Sequence, residues 1–291
     1  MLRPSRLSLS IFGSARQLSR ASPLQKPGRQ VLVPNYPLKT TKGKTVSIEV
    51  AEYSDLPMMK QYLKENFAVE EPVMVANKCS PKRLLDEVLS DLLEVCVHFP
   101  YTTLAFDGDQ MIGYNLVWLE LFDKNSNTPP KEGYTDLGDL SKQYAKNIRL
   151  SEQPEIRTVT TINYAASLCP HFLPPAERHV VAHGEMGSVN KKYNGNHLVT
   201  ALIVEGAKEI LKDNLVQYYY ATATAAATVH MNPLLGLHEV WSMKYKDYKF
   251  DGQQIYGDGV LHDGNDRITL NIGKIEDVVN SEYYAKLSEG K

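Results

Sequence analysis

One stretch of the sequence joins a strand pattern to a helix pattern through a glycine turn, and such a turn could bind an anion. It reads VNKKYNGNHLVTALIVEGAKEILKDN over residues 189–214. An Asn-Gly pair between apolar stretches usually predicts a β-hairpin, because both residues tolerate positive φ. After this pair, however, the apolar residues recur three or four positions apart, as on the buried face of a helix. They are Leu198, Ala201, Leu202, Ile210 and Leu211. The turn is therefore predicted to join a strand to a helix.

The chemistry that this turn offers is phosphate binding. The first turn of a helix presents amide groups without intrahelical partners, and the helix dipole adds about half a positive charge there. Lys191 and Lys192 lie close enough in the chain to supply further positive charge. We therefore predict a phosphate-binding segment that consists of Asn194, Gly195, Asn196, His197, Leu198, Val199 and Thr200.

The elements around this turn alternate between strands and helices. Strands are indicated by alternation of apolar and polar side chains, helix starts by polar N-caps with a following proline, and a hairpin by Asp-Gly. The predicted order is a strand at 45–53, helices from Ser54 and Ser80, a hairpin over 102–122 turning at Asp107-Gly108, a strand at 179–189, a helix from Leu198, a strand at 216–225, a helix from 226 and a strand from 238. Residues 123–178 are interpreted as an insertion over the sheet, because they show no core of their own.

Composition argues against several classes of partner. The 291 residues carry a net charge of -2, which gives no reason to expect nucleic acid. No apolar run approaches the roughly 18 residues of a membrane span. The three cysteines show no metal-ligand spacing and are predicted to be reduced thiols, so no metal site is predicted. The oligomeric state is left open.

The N-terminal region differs from the rest of the chain. No Asp or Glu precedes Glu49, although 34 of the 291 residues are acidic, and arginines and serines are frequent there. This composition is typical of a mitochondrial transit peptide. We predict one over residues 1–28 and hence a mitochondrial location, the alternatives being a disordered basic tail and a cytoplasmic location. Residues 29–44 are rich in Pro, Gly and Lys and are interpreted as a linker, followed by one domain over 45–291.

Two anchors relate this order of elements to a known superfamily. Val189 precedes Leu202 by thirteen residues, and a Leu-Gly-Leu turn at 235–237 comes before the last predicted strands. Over residues 46–256 the chain resembles the GNAT acyltransferase superfamily. The resemblance implies an α/β fold with a mixed central sheet flanked by helices, and with the insertion between its third and fourth strands. Three segments resemble invertebrate arylalkylamine N-acetyltransferases, namely Phe67 to Pro72, Thr224 to Gly236 and Tyr245 to Gly252.

The resemblance implies that acetyl-CoA binds at the predicted phosphate-binding segment. The superfamily motif, Arg/Gln-x-x-Gly-x-Gly/Ala, falls on residues 194–199 with three departures. Asn194 replaces the first residue, His197 replaces a glycine and Val199 replaces a small residue. Asn and His tolerate the left-handed region better than most residues do, whereas Val199 adds bulk. The alternative is a polar turn that no longer binds the coenzyme.

The resemblance also implies a base for the substrate amine. Deprotonating an amine with a lysine-like pKa of about 10.4 costs about 4 kcal/mol near neutral pH, so a base should act directly or through water. Glu71 matches the acidic residue before a proline in the resembled enzymes. Its neighbour Glu70 is either a charge that raises the pKa of Glu71 or the base itself. Alternatively, both glutamates are solvated loop residues.

A hydroxyl group is expected to protonate the leaving thiolate of CoA. Many superfamily members use a tyrosine, whose position is occupied here by Asn232. The arylalkylamine type uses a serine, which corresponds to Thr228. Thr222 and Thr224 lie nearby, and all three threonines could instead be ordinary helix caps.

The remaining site residues follow from the same resemblance. A bulged strand at Gly187, Ser188 and Val189 is expected to donate a backbone hydrogen bond to the acetyl carbonyl, since glycine suits a bulge. The amine pocket is expected to draw on the region after Glu71 and on aromatic residues of the insertion, namely Tyr134, Tyr144, Tyr164, His171 and Phe172.

The expected function is transfer of an acetyl group from acetyl-CoA, a co-substrate, to a small primary amine, with arylalkylamines as candidates. Direct attack in a ternary complex is expected, because no cysteine lies in a motif for a covalent intermediate. Two alternatives stay open. One is a non-catalytic GNAT-fold binding module with a degenerate coenzyme loop, and the other is an acyltransferase that uses longer acyl-CoA.

Overall fold

A computed structural model describes residues 29–123, 126, 128–134, 136–148 and 153–289. Residues 1–28 lie outside the described residues, so the transit peptide and the mitochondrial location stay predictions. Within the part that is described, no helix is both long and apolar enough to cross a membrane.

The strands form a mixed sheet and a short separate hairpin. They are β1 Val31–Pro37, β2 Thr45–Val50, β3 Thr103–Asp107, β4 Gln110–Asp123, β5 Arg178–Val189, β6 Tyr218–Ala223, β7 His238–Lys244, β8 Lys249–Phe250, β9 Gln253–Gln254 and β10 Arg267–Lys274. The sheet has the order β1-β2-β3-β4-β5-β6-β10-β7. Strands β5 and β6 run parallel, whereas the other neighbours in this order pair antiparallel.

Helices cover both faces of this sheet. They are α1 Leu56–Tyr62, α2 Pro72–Asn77, α3 Pro81–Leu84 continuing through a π turn at Leu85–Leu89 to Ser90–His98, α4 Gly138–Ile148, α5 Gln153–Ser167, α6 Leu198–Asp213, α7 Ala226–Leu234, α8 Ile275–Val279 and α9 Glu282–Glu289. Along β3, Ala105 packs in a cluster with α6, whereas Leu104 and Phe106 pack in a cluster with α1 and α3. Successive strand residues point to opposite faces, so these clusters are the two sides of the sheet.

Residues 29–44 are not a linker, because they contain β1. This strand pairs antiparallel with β2 and buries Tyr36, which is 1% exposed. Pro34 and Pro37 make this segment resemble a linker rather than a strand when only the sequence is considered. However, β1 is the edge strand, and an edge tolerates residues that lack an N–H group. The first predicted strand is therefore the second in the structure, and residues 123–178 lie between β4 and β5.

The first helical region is also divided differently from the prediction. The cap before α1 is not made by Ser54. Instead, Ser54 lies in a 3-10 turn at Tyr53–Asp55, in which the Asp55 carboxylate accepts a hydrogen bond from the Glu52 N–H at 2.9 Å, and Asp55 is the N-cap of α1 without a side-chain cap bond. After α1 the chain passes through a π turn at Leu63–Phe67 and then starts α2, which the sequence patterns did not predict. This short helix begins at Pro72 and so places the preceding residue, Glu71, as its N-cap.

Three local predictions are confirmed. Ser80 caps α3, and its hydroxyl accepts a hydrogen bond from the Arg83 N–H at 3.3 Å. Strands β3 and β4 form the predicted hairpin, in which Gly108 has a φ of 59°. The Asn-Gly-Asn turn joins β5 to α6 and is not a hairpin.

Candidate active site

The parallel strands β5 and β6 separate part-way along their length. Their pairing ends at Gly184 opposite Ala221. Strand β5 nevertheless continues to Val189, and its other edge stays paired with β4. Over residues 185–189, the edge of β5 that faces β6 therefore presents backbone groups that a ligand can bind.

The bulge in β5 does not lie at residues 187–189 as predicted. The register of β5 against β4 shifts at Glu185, which is the extra residue. Glu185 and its neighbour Met186 both line the same cavity. Glycine occupies position 187 for a different physical reason. A Cβ atom there would lie 3.2 Å from Cγ1 of Val199, so glycine lets the strand pass close to α6. That Gly187, Ser188 and Val189 bind the acetyl group stays a prediction.

The turn before α6 has two residues with positive φ. Gly195 has a φ of 79°, and His197, the N-cap of α6, has a φ of 55°. Histidine is among the non-glycine residues that adopt this region more readily, so it can replace the glycine of the motif. Its Nδ1 atom lies 3.0 Å from the Tyr283 hydroxyl. Burial and the charge of Lys39 lower the pKa of His197.

Asn196 holds this turn against the connection between β1 and β2. The side chain is 1% exposed. Its Oδ1 accepts a hydrogen bond from the Thr40 N–H at 2.9 Å, and its Nδ2 donates to the Tyr193 carbonyl at 2.8 Å. The Tyr36 hydroxyl donates to the Asn196 carbonyl at 3.0 Å. Asn196 thus shapes the turn, and its side chain does not face a ligand site.

A cavity of about 230 Å³ lies at the start of α6, and we call it the α6 cavity. The amide groups in the first turn of a helix lack intrahelical partners. In α6 the side chain of the N-cap residue, His197, does not accept a hydrogen bond from them. The α6 cavity is lined by Val189, Tyr193, Asn194, Gly195, His197, Leu198, Val199, Thr200, Met231 and Tyr283. The predicted phosphate-binding segment, apart from Asn196, therefore faces one open space.

A second cavity, of about 190 Å³, lies between β4–β6 and helices α2, α3 and α5. We call it the glutamate cavity, because Glu71, Glu120 and Glu185 line it. Strand β5 contributes to both cavities, since Met186 lines the glutamate cavity and Val189 lines the α6 cavity. Three residues of strand span roughly 10 Å. The two cavities are therefore within reach of one extended ligand that follows β5.

Glu71 is buried in the glutamate cavity with one oxygen unused. The residue is 6% exposed, and its Oε2 accepts a hydrogen bond from the Met74 N–H at 2.6 Å. Its Oε1 is buried and has no hydrogen-bond partner among the described residues. Burial raises the pKa of Glu71, and the Asp263 carboxylate adds to this, whereas the Thr224 side chain and the amides of Met74 and Val73 oppose it. Such a carboxylate can accept a proton from a ligand.

Glu70 lies in a different environment. Its side chain is 38% exposed, and its Oε1 lies 3.1 Å from Nζ of Lys191. It is not among the described residues that line either cavity. The structure therefore favours Glu71 over Glu70 as the base. The ion pair also means that Lys191 already has an anionic partner, which leaves Lys192 as the freer cation near the turn.

The three threonines of this region are placed differently. Thr222 and Thr224 line the glutamate cavity, and the Thr224 carbonyl is fixed by the Tyr245 hydroxyl at 3.0 Å. Thr228 lies in the first turns of α7, where its N–H donates to the Ala225 carbonyl at 3.0 Å. It is not among the described residues that line the cavity. The structure thus brings Thr224, rather than Thr228, next to Glu71.

Of the aromatic residues predicted for the amine pocket, Tyr144 lines the glutamate cavity. The others lie elsewhere. Tyr164 is in a separate core cluster, against which Tyr134 and Phe172 pack, and Nε2 of His171 lies 2.5 Å from the Pro129 carbonyl. The aromatic part of the cavity wall comes instead from Phe67, Trp118, Phe122 and Tyr220.

Sequence patterns missed three polar residues of the glutamate cavity, namely Glu120, His183 and Glu185. His183 is 4% exposed, and its Nδ1 lies 3.4 Å from Glu120 Oε1 and 3.3 Å from Glu185 Oε2. Although burial lowers the pKa of His183, the carboxylates of Glu185 and Glu120 raise it above its ordinary value. The available signal was a set of ionisable residues within apolar strands, since such residues are rarely buried without partners. No group of three metal-binding side chains with the geometry of a metal site occurs in the described residues.

Several solved structures with a similar fold are N-acetyltransferases. Arylalkylamine N-acetyltransferase 2 of Aedes aegypti superposes with a TM-score of 0.59 at 17% identity, covering 79% of this chain and 99% of that one. Mosquito arylalkylamine N-acetyltransferase like 5b superposes with a TM-score of 0.59 at 15% sequence identity, covering 79% of this chain and 100% of that one. This chain has the GNAT acetyltransferase fold. A Drosophila melanogaster polyamine N-acetyltransferase that forms N-acetylagmatine shares the GNAT fold. It superposes with a TM-score of 0.52 at 14% identity, covering 79% of this chain and 99% of that one. No family model matches the sequence.

Proposed function

We propose that this protein is an N-acetyltransferase that moves the acetyl group of acetyl-CoA to a small primary amine. The observation that carries the proposal is the placement of two cavities along β5. One contains uncapped helix amides, and the other contains a buried carboxylate with an unpartnered oxygen. The GNAT fold and the acetyltransferases that share it support the same activity.

The α6 cavity fits the phosphates of acetyl-CoA. The first-turn amides of α6, at Leu198, Val199 and Thr200, offer donors together with the positive end of the helix dipole. Lys192, next to the turn, is exposed and adds a positive charge. From there, the unpaired edge of β5 over residues 185–189 would hold the rest of the carrier, so that its thioester reaches the glutamate cavity.

The glutamate cavity would hold the amine. Glu71 Oε1 accepts the amine proton, directly or through water, and the neutral nitrogen attacks the thioester carbonyl carbon. Collapse of the tetrahedral intermediate breaks the C–S bond, the nitrogen loses its second proton as the amide forms, and this proton passes through a donor in the site to the leaving thiolate. Thr222 and Thr224 both share the cavity with Glu71, and the hydroxyl of Thr224 is the better placed for that role because its side chain also interacts with Glu71. No covalent enzyme intermediate is needed.

The walls of the cavity suit an amine with an apolar body. Phe67, Leu92, Trp118 and Met186 supply apolar surface between the polar groups. The proteins with the same fold act on arylalkylamines and, in the Drosophila enzyme, a polyamine substrate class. Both types of substrate have a primary amine on an apolar chain or ring, which agrees with this lining.

An assay of thiol release tests the proposal. The full chain is incubated with acetyl-CoA and a panel of primary amines, and free CoA thiol and N-acetyl product are measured together. We expect release that depends on both the amine and the enzyme. Activity with longer acyl-CoA alone would assign a different donor. Binding of acetyl-CoA without release for any amine would indicate a non-catalytic module and contradict the proposed function.

A further inference from the structure

Two carboxylates and a histidine form a compact cluster in the wall of the glutamate cavity. Glu120 lies on β4, and His183 and Glu185 lie on the neighbouring β5. The Tyr220 hydroxyl donates to Glu120 Oε2 at 2.7 Å, and the Trp118 indole N–H donates to Glu185 Oε2 at 3.3 Å. Side-chain exposure is 12% for Glu120 and 13% for Glu185. Both carboxylates are therefore mostly buried, accept hydrogen bonds from aromatic residues and line the cavity.

The charge of this cluster is not balanced within the cavity. A protonated His183 between the two carboxylates leaves one net negative charge. The described residues that line the cavity include no Lys or Arg. A buried charge without a partner is costly, so such a site favours a ligand that brings the opposite charge.

The same cavity contains a second anionic group, separate from this cluster. Glu71 has a buried Oε1 without a partner among the described residues. It lies near Thr224, whereas Glu120 is bonded to Tyr220. Tyr220 and Thr224 are four residues apart in the chain, and four residues of extended chain correspond to about 13 Å. Glu71 and the cluster of Glu120 and Glu185 therefore occupy different parts of one cavity wall, which also contains apolar residues such as Trp118 and Met186.

We propose that the glutamate cavity selects a dicationic amine, a primary amine joined by an apolar chain to a second amino or guanidino group. This inference rests on the proposed function. The reacting amine lies at Glu71, and the second cation lies against Glu120 and Glu185. Trp118 also lines the cavity, and an aromatic ring favours a nearby cation. The second cationic group completes the charge of the cluster, which a neutral alkyl or phenol group cannot do.

Matched amines test this directly. Cadaverine and pentylamine have the same carbon chain and differ in the second amino group, and tyramine represents a single cation with a hydroxylated ring. We expect kcat/KM for cadaverine or agmatine to exceed that for pentylamine and for tyramine by at least about tenfold. Glu120→Gln and Glu185→Gln keep the size of each side chain and remove its charge. Each should lower the cadaverine-to-pentylamine ratio by about tenfold.

Glu94→Gln is the matched control, because it removes a carboxylate from α3 that is 44% exposed and outside the cavity lining. It should leave the ratio unchanged. Calorimetric binding of cadaverine to each folded variant gives a readout that does not require turnover. Equal kcat/KM for cadaverine and pentylamine, a preference for tyramine, or an unchanged ratio in both glutamine variants would overturn the inference and leave the acetyltransferase proposal standing. Absence of transfer to every amine would overturn both.

Discussion

Replacing Glu71 by Gln is expected to lower kcat for amine acetylation by about 100-fold or more, the range that general base catalysis contributes. The glutamine can still accept the Met74 N–H through its side-chain oxygen, so the N-cap of α2 is kept. What is lost is the proton acceptor at Oε1, which is buried without a hydrogen-bond partner among the described residues. Steady-state kinetics of thiol release measure the effect.

The pH dependence of the same variant separates catalysis from folding. In the wild type, kcat/KM should rise with pH through the pKa of Glu71, which burial raises. The glutamine variant should lack that rise. The raised pKa also means that ionisation of Glu71 destabilises the folded chain. The contribution of Glu71 to the free energy of unfolding is most favourable below the pKa of an unfolded glutamate, about 4.3. It declines as pH rises through the pKa of Glu71 in the folded chain. The variant should therefore be at least as stable as the wild type at neutral pH.

Glu70→Gln is the control for this experiment. Glu70 is next to Glu71 in sequence but pairs with Lys191 at the surface. Its replacement should change kcat by less than about fivefold, because exposed ion pairs contribute only about 0–1 kcal/mol. A loss of activity in Glu70→Gln that matches Glu71→Gln, or an unchanged pH profile in Glu71→Gln, would reject Glu71 as the base.

Replacing Asn196 by Ala is expected to lower the free energy of unfolding by about 1–3 kcal/mol, the cost of leaving polar partners without hydrogen bonds. The Thr40 amide loses its acceptor, and the Tyr193 carbonyl loses its donor. Because these bonds fix the turn before α6, affinity for acetyl-CoA should also fall by about tenfold, equivalent to about 1.4 kcal/mol of added ordering cost. Denaturant titration and calorimetry measure the two effects.

Asn194→Ala provides the comparison within the same turn. Asn194 is exposed, so its replacement should change stability by no more than about 0.5 kcal/mol. Equal stability of the Asn196 and Asn194 variants would show that the buried amide does not hold the turn.

Local signals explain which elements the sequence predicts well. The connection from β5 to α6 was predictable because the apolar period changes within one short stretch around Gly195. The hairpin at Gly108 and the start of α3 at Ser80 also depend on residues that are adjacent in the chain. Strand β1 was missed because its prolines suggest a linker, although its place at the sheet edge tolerates them. Strand β10 was not predicted, although Ile268, Leu270 and Ile272 alternate with polar residues as in a strand. Its place between β6 and β7 depends on a non-local pairing that no local pattern shows.

The site shows the same division between local and non-local information. Glu71 and residues 194–200 were predicted through motifs, which are local signals. The cluster around His183 depends on the register that places Trp118 opposite His183 and on the bulge at Glu185. Neither can be read from one strand alone. The choice of Thr224 over Thr228 depends on where β6 ends and α7 begins.

Calorimetric titration of the full chain with acetyl-CoA tests most directly whether the uncapped start of α6 binds the coenzyme. We expect one site per chain with a Kd on the order of 10 μM, about 7 kcal/mol of binding free energy, and weaker binding in Asn196→Ala. Titration to millimolar acetyl-CoA without a binding signal would contradict the coenzyme site and, with it, the proposed acetyl transfer.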